Sequence, residues 1–400
     1  MFSILFSMTI LIAFTAPTPA TTVTSISPTS IPTTGSVVAD TLAANIDQYM
    51  KSLPGWNGTI LVARKGEVLI SQGYGSANRE NDVPNTSLTK FAIGSMTKAF
   101  TAMAIMILQE RGQLAVQDPI CKYISDCPAG WKPITLHHLL THTSGIQSYT
   151  ESNLPIQTNI TTCQEFELEE ALAIAKALPQ DFVPGTQYSY SNTGYYLLGA
   201  VIEKVSAESY ETFIQKNILQ PLGMNETGYD RSSTIVKHRA SGYSIDQNGD
   251  IDNTPFWDVS QRYAAGGLYS TVGDLYKWDQ ALYSDQLVSK ETLATIFTSM
   301  VTIPNDGGYG YGWVISKQSG HRVISHGGDL PGFHSQITRY PDDQVTIIVL
   351  TNVDNEQPDQ ISNALADMVL AENGGITIYF VAQGEGKFIF PVTWWAWLCR

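Results

Sequence analysis

Strand-like runs lie near both ends of this 400-residue chain, and the stretch between them carries helical and loop signals. Ile60-Leu61-Val62-Ala63 and Val68-Leu69-Ile70 bracket Arg64-Lys65-Gly66-Glu67, the pattern of a β-hairpin. Tyr311 to Ile315, Arg322 to Ser325, Phe333 to Tyr340 and Val345 to Leu350 read as four further strands, separated by Gly-, Pro- or Asp-rich turns. Turns that short join antiparallel neighbours. Helical patterns cover Leu136 to Thr141, Ala171 to Ala177, Asp274 to Tyr283 and, closing the chain, Ile361 to Leu370. Apolar sheet faces must be buried against another layer. The expectation is therefore an α+β fold, an α/β sandwich: an antiparallel sheet formed by the N- and C-terminal parts, flanked by helices, with a central, mostly helical lobe. The cleft between the two parts is the natural place for a site.

The ends differ in composition from this body. Met1 to Ala16 is apolar without a charged side chain, and a Thr/Pro/Ser-rich run follows through Ser36. Residues 1–20 are expected to be a signal peptide, though the basic n-region is missing, residues 21–39 a linker, and residues 40–375 the folded domain. Residues 376–400 form an atypical apolar tail containing Trp394-Trp395-Ala396-Trp397-Leu398. Its apolar run from Phe388 to Cys399 is too short to span a bilayer, so any membrane association would come through the terminal segments. The expected location is secreted, periplasmic or cell-surface. A net charge of −14 with no Lys/Arg block argues against nucleic acid as a partner. Cys121 and Cys127 flank Lys-Tyr-Ile-Ser-Asp and are a candidate local disulfide; Cys163 reads as a free thiol or a long-range partner.

Three short segments carry chemistry. In Gly94-Ser95-Met96-Thr97-Lys98 one helical turn separates a hydroxyl from an amine, and the strongly apolar run Ala99 to Leu108 follows. A lysine desolvated there can have its pKa lowered enough to take the serine proton, and the free N–H groups of a helix start can hold an oxyanion. Ser87-Leu88-Thr89-Lys90 has the same spacing but opens no long apolar segment and reads as a decoy. Tyr188-Ser189-Tyr190-Ser191-Asn192 precedes the apolar stretch Tyr195 to Val201; the tyrosine can relay a proton, and the asparagine can hold a substrate amide, orient the lysine or simply cap the helix. Ser325-His326-Gly327-Gly328-Asp329 ends a predicted strand, where paired glycines allow close backbone approach. A competing reading places zinc on His137, His138 and His142, two of which have helical i, i+4 spacing, but the glutamate of a metalloprotease motif is absent.

The order and setting of the three segments resemble the penicillin-recognising serine hydrolases: class C β-lactamases, serine DD-peptidases and family VIII carboxylesterases. The resemblance runs from about Trp56 to about Leu370 and extends to Leu139-Leu140-Thr141-His142-Thr143-Ser144-Gly145, Pro221-Leu222-Gly223-Met224 and Gly266-Gly267-Leu268-Tyr269-Ser270-Thr271. It implies a β-lactamase/transpeptidase-like fold in which Ser95 is acylated, Lys98 is the base and Tyr190 shuttles the proton. Asn192, His326, Gly327, Gly328 and Asp329 would bind substrate, with the N–H groups of Ser95 and Asp329 as oxyanion hole. No metal or organic cofactor is implied, and the partner would be a small-molecule or peptide acyl substrate. Gly327 departs from the Lys-Thr-Gly or His-Thr-Gly pattern by lacking a hydroxyl, which should weaken the hold on a substrate carboxylate. A protonated His326 or Arg339 could compensate. The matching asparagine at 192 favours the peptidase and β-lactamase branches, so an amide of D-amino-acid peptide or β-lactam type leads. A carboxylesterase and a penicillin-binding domain without turnover are the alternatives.

Overall fold

Period-two alternation on strands from both ends of the chain creates two apolar sheet faces, and each is covered by helices. The computed structural model describes residues 34–150, 166–304, 307–354 and 356–371. The eight strands of the main sheet are β1 (Gly58–Arg64), β2 (Glu67–Tyr74), β3 (Val301–Ile303), β4 (Gly307–Tyr309), β5 (Val314–Gln318), β6 (His321–Leu330), β7 (Phe333–Tyr340) and β8 (Val345–Thr351). Their spatial order is β3-β4-β5-β6-β7-β8-β1-β2. The junction of the two chain ends is the antiparallel pairing of β1 with β8, from Gly58 opposite Thr351 to Arg64 opposite Val345. The sheet expected from the sequence is thus formed, with every neighbouring pair antiparallel.

On one face, Ile60 and Val62 of β1 join Val345, Ile347 and Val349 of β8 beneath helices α1 (Thr34–Ser52) and α7 (Pro358–Leu370), which supply Leu42, Ile46, Met50, Ile361, Leu365 and Val369. Leu61 and Ala63, with Ile348 and Leu350, point the other way into the larger core. There they meet α2 (Thr97–Glu110) and α6 (Val272–Ala281). Each such Val, Ile or Leu contributes roughly 1.5–3 kcal/mol by burial. Beyond α2 lies the helical part, with α3 (Leu136–Leu140), α4 (Leu168–Ala177) and α5 (Asn192–Ser206).

Several boundaries move for local reasons. Helix α1 starts at Thr34, so residues 34–39, expected as the end of the linker, form its opening turns. Helix α6 starts two residues before the expected Asp274, because the Thr271 hydroxyl accepts the Asp274 N–H at 3.2 Å and caps it. Strand β6 does not end at Ser325 but runs through the whole His326 to Asp329 motif to a tight hairpin at Pro331-Gly332. Cys121 and Cys127 form the expected disulfide. The expected signal peptide, most of the linker, Cys163, Cys399 and the 376–400 tail lie outside the described residues.

Candidate active site

From Thr89 to Leu108 every residue is buried except Ser95. The hydroxyl therefore reaches the cleft from an otherwise sealed segment. Its turn is held in place through the strand Phe91–Ala92, paired with Leu268–Ser270. The Ile93 N–H donates to the Leu268 carbonyl (3.0 Å), and the Leu268 N–H donates to Thr97 Oγ1 (3.2 Å). Gly94 takes a positive φ of 51°, and a Cβ there would sit 3.1 Å from the Asp329 nitrogen. Ser95 thus occupies a short 3-10 turn, Gly94–Met96, that lies against the edge of β6 and leads into α2.

Lys98 is fully buried, and burial drives its pKa well below the usual lysine value. Its Nζ lies 2.7 Å from Asn192 Oδ1, 2.7 Å from the Ala265 carbonyl and 3.0 Å from Ser95 Oγ. A neutral amine has two N–H donors and one lone pair. Two carbonyl-type oxygens hold two N–H groups; Nζ also donates to Ser95 Oγ, and loss of that third proton would turn a lone pair toward the hydroxyl. Burial thus favours the amine over the ammonium at this position, directly beside the hydroxyl.

Ser191, not Asn192, caps α5: its Oγ accepts the Gly194 N–H at 3.3 Å. Asn192 is released from capping and orients the lysine, while its own backbone N–H donates to Ser148 Oγ (3.1 Å) and its Nδ2 to Thr150 Oγ1 (3.0 Å). Tyr190, just before the cap, has its ring 4.8 Å from Lys98 Nζ. Burial raises its pKa, and hydrogen bonding to Ser95 opposes that rise only in part. The phenol therefore keeps its proton at neutral pH. Its ring packs on His142 at 4.2 Å between centroids, and His142 Nδ1 accepts the Ser191 N–H at 3.1 Å.

Strand β5 covers β6 only as far as Ser325, opposite Val314. The edge of β6 from His326 to Asp329 has no strand beside it and faces the Ser95 turn. Gly328 is required there, because a Cβ would fall 2.0 Å from the Ile93 carbonyl oxygen. Gly327 is tight as well, with Gln336 Oε1 2.9 Å from a Cβ position. The Asp329 side chain is exposed, so its backbone N–H is what it can present to the turn. The Ser95 N–H, at a helix start, is the natural second donor.

Two expected compensations for the missing hydroxyl fail. His326 is buried, with Nε2 3.0 Å from the Tyr309 hydroxyl and Nδ1 2.6 Å from the Gly327 carbonyl. Burial, then the nearby Lys98, pushes its pKa down to about 4, so the imidazole is neutral and turned away from an anion-binding role. Arg339 is sealed in the core on Asp279, whose other oxygen accepts from Thr346 Oγ1 at 2.6 Å. A buried cation must be paired, and this one is committed.

Lys90 of the decoy holds Glu226 at 2.6 Å and reaches no serine. The three histidines of the zinc reading take separate partners: His137 the Tyr311 hydroxyl (2.9 Å), His138 the Thr135 N–H (3.2 Å), His142 the Ser191 N–H. Sequence reasoning missed the Ala265 carbonyl, although it directly precedes the Gly266-Gly267 stretch. It also missed Tyr309 and Ser148, for which the sequence carries no signal.

Fold and site together define a serine hydrolase with a lysine beside its hydroxyl. Comparison with known proteins agrees: the beta-lactamase family model matches residues 42–372, and the chain belongs to that family. A penicillin-binding protein of Bacillus subtilis (strain 168) is 33% identical over 75% of this chain and 69% of its own length. The octameric penicillin-binding protein homologue from Pyrococcus abyssi is 34% identical with a TM-score of 0.71, covering 83% of this chain and 77% of that one. A D-stereospecific amidohydrolase from Streptomyces sp. is 26% identical with a TM-score of 0.67, covering 82% of this chain and 97% of that one.

Proposed function

We propose that this protein hydrolyses amides of D-amino-acid type through an acyl-enzyme on Ser95. The observation that carries the reading is the buried Lys98, its pKa driven down and its Nζ fixed by Asn192 and Ala265 at 3.0 Å from Ser95 Oγ. Ser95 Oγ gives its proton to Lys98 Nζ and bonds to the scissile carbonyl carbon. The N–H groups of Ser95 and Asp329 stabilise the oxyanion. As the C–N bond breaks, Tyr190 gives its phenolic proton to the departing nitrogen and regains one from Lys98. Water then attacks the ester on Ser95 by the same groups in reverse, releasing the acid.

With His326 neutral, Arg339 sequestered and no hydroxyl at Gly327, the β6 edge supplies little for a leaving-group carboxylate. This favours amide substrates without such a carboxylate over β-lactams, and it is also what supports a carboxylesterase as the second reading. Export is part of the proposal, supported by the apolar leader and the Cys121–Cys127 disulfide; N-terminal sequencing of protein recovered outside the cell tests it.

Intact-protein mass after incubation with a fluorophosphonate, a penicillin and a D-amino-acid p-nitroanilide, alongside product release, tests the reaction on wild type, Ser95→Ala and Ser87→Ala. Adducts and turnover are expected to vanish only in Ser95→Ala. Turnover of aryl esters with none of D-anilides would establish the esterase, and a stalled adduct the binding domain.

A further inference from the structure

A cavity of about 370 Å3 is lined by Ala92, two residues before the Gly94–Met96 turn, and by Pro331 and Phe333 just beyond the His326–Asp329 edge. Trp257, Arg262, Asp230 and Arg239 also line it. Gly266 links Arg262 to the Ser95 turn: a Cβ there would lie 3.5 Å from Arg262 Cβ and 3.6 Å from the carbonyl carbon of Gly94. The size suits a small side chain with room for water.

The charges lining it are unevenly matched. Arg239 donates to Asp230 Oδ2 at 2.8 Å. Asp258, next along the chain, is taken by Ser232 (2.6 Å) and Ser260 (2.6 Å). Arg262 is half-buried, its guanidinium 5.9 Å from the Trp257 ring, and among the described residues it meets no hydrogen-bond acceptor. A half-buried guanidinium without a protein acceptor keeps planar donors available to a ligand. Asp230 and Asp258 both act on the Arg262 charge, yet neither accepts a hydrogen bond from it, and the cavity wall itself carries two guanidinium groups and one carboxyl.

We infer that Arg262 and this cavity form a specificity subsite for an acidic side chain on the acyl portion of the substrate. The inference rests on the acyl-enzyme reading above. With Tyr190 protonating the leaving group, the inference assigns the acyl portion to the side of the turn that Ala92 and Gly266 connect to the cavity. A carboxylate entering there can take two parallel N–H bonds from the guanidinium, while Phe333 and Trp257 cover its methylenes. This places the acidic contact on the acyl side, distinct from the β6 edge that lacks one.

The test uses a matched pair, the α-p-nitroanilides of D-glutamate and D-glutamine, which differ in charge and hardly in shape. In the full-length wild type, kcat/KM is expected to favour D-glutamate at least tenfold, chiefly through KM. Arg262→Gln should bring the ratio near one, and Arg262→Lys should leave it between. A role in folding alone would lower both substrates together and leave the ratio unchanged, which overturns the inference. So does a wild type that turns over both anilides without preferring the acid; in that case the proposed function stands. Fluorophosphonate labelling of Ser95 with no turnover of either anilide would instead sink the amidase reading and this inference with it. If Arg262→Gln does not fold, the wild-type ratio and Arg262→Lys still decide.

Discussion

Burial lowers the pKa of both Lys98 and His326, and the effect of pH is read in activity for the first and in stability for the second. In the proposed mechanism Lys98 acts as the unprotonated amine, so kcat/KM should rise with pH through the lowered lysine pKa and then hold a plateau, because the Tyr190 phenol titrates above the usual tyrosine range. Asn192 Oδ1 stabilises the protonated amine more than the neutral one. Asn192→Leu is therefore expected to move the acid limb to lower pH and to reduce kcat about 10–100-fold, since the lysine is no longer aimed at Ser95; a pH–rate profile reads both effects. For His326 the consequence is stability. Its folded pKa is about 4 against 6.5 unfolded, so below pH 6.5 the unfolded chain binds a proton that the folded chain refuses. Stability should fall by about 3 kcal/mol between pH 7 and pH 4 from this group alone. His142, depressed in the same direction, adds to it. Urea unfolding across that range should show a smaller loss in His326→Gln.

At the scale of elements, the site is made where the Gly94–Met96 turn meets the uncovered edge of β6. Gly328 permits the approach, and its replacement by alanine would place a methyl 2.0 Å from the Ile93 carbonyl oxygen. The strand must shift away, and the Asp329 N–H shifts with it. We expect Gly328→Ala to lose about 100-fold or more in kcat, as loss of an oxyanion donor does, while thermal unfolding changes by only a few degrees. A large fall in melting temperature with unchanged kcat in the surviving folded fraction would contradict this account. The Ser191 cap acts similarly from the other side, since by closing α5 it frees Asn192 for the lysine.

For the molecule as a whole, the buried pair of Arg339 on β7 and Asp279 on α6, with Thr346 on β8, ties a helix to the centre of the sheet. Asp279→Ala strands a buried guanidinium and should cost about 3–5 kcal/mol, measured by urea unfolding, with kcat little changed in the protein that remains folded. The sequence by itself determined the sheet built from both chain ends, because alternating apolar residues such as Ile60-Leu61-Val62-Ala63 and Ile347-Ile348-Val349-Leu350 can be buried only between layers. It also singled out Ser95 over Ser87 as the proposed nucleophile: Ser95 opens a long apolar helix and Ser87 does not. What the sequence left open was the electrostatic state of the site. Whether His326 is charged, whether Arg339 is free and which oxygens hold Lys98 depend on Tyr309, Asp279 and Ala265, residues brought in from distant parts of the chain. Spacing is a local property and survives in the sequence. Burial and hydrogen-bond partnership set the protonation states, and these exist only once the chain has folded.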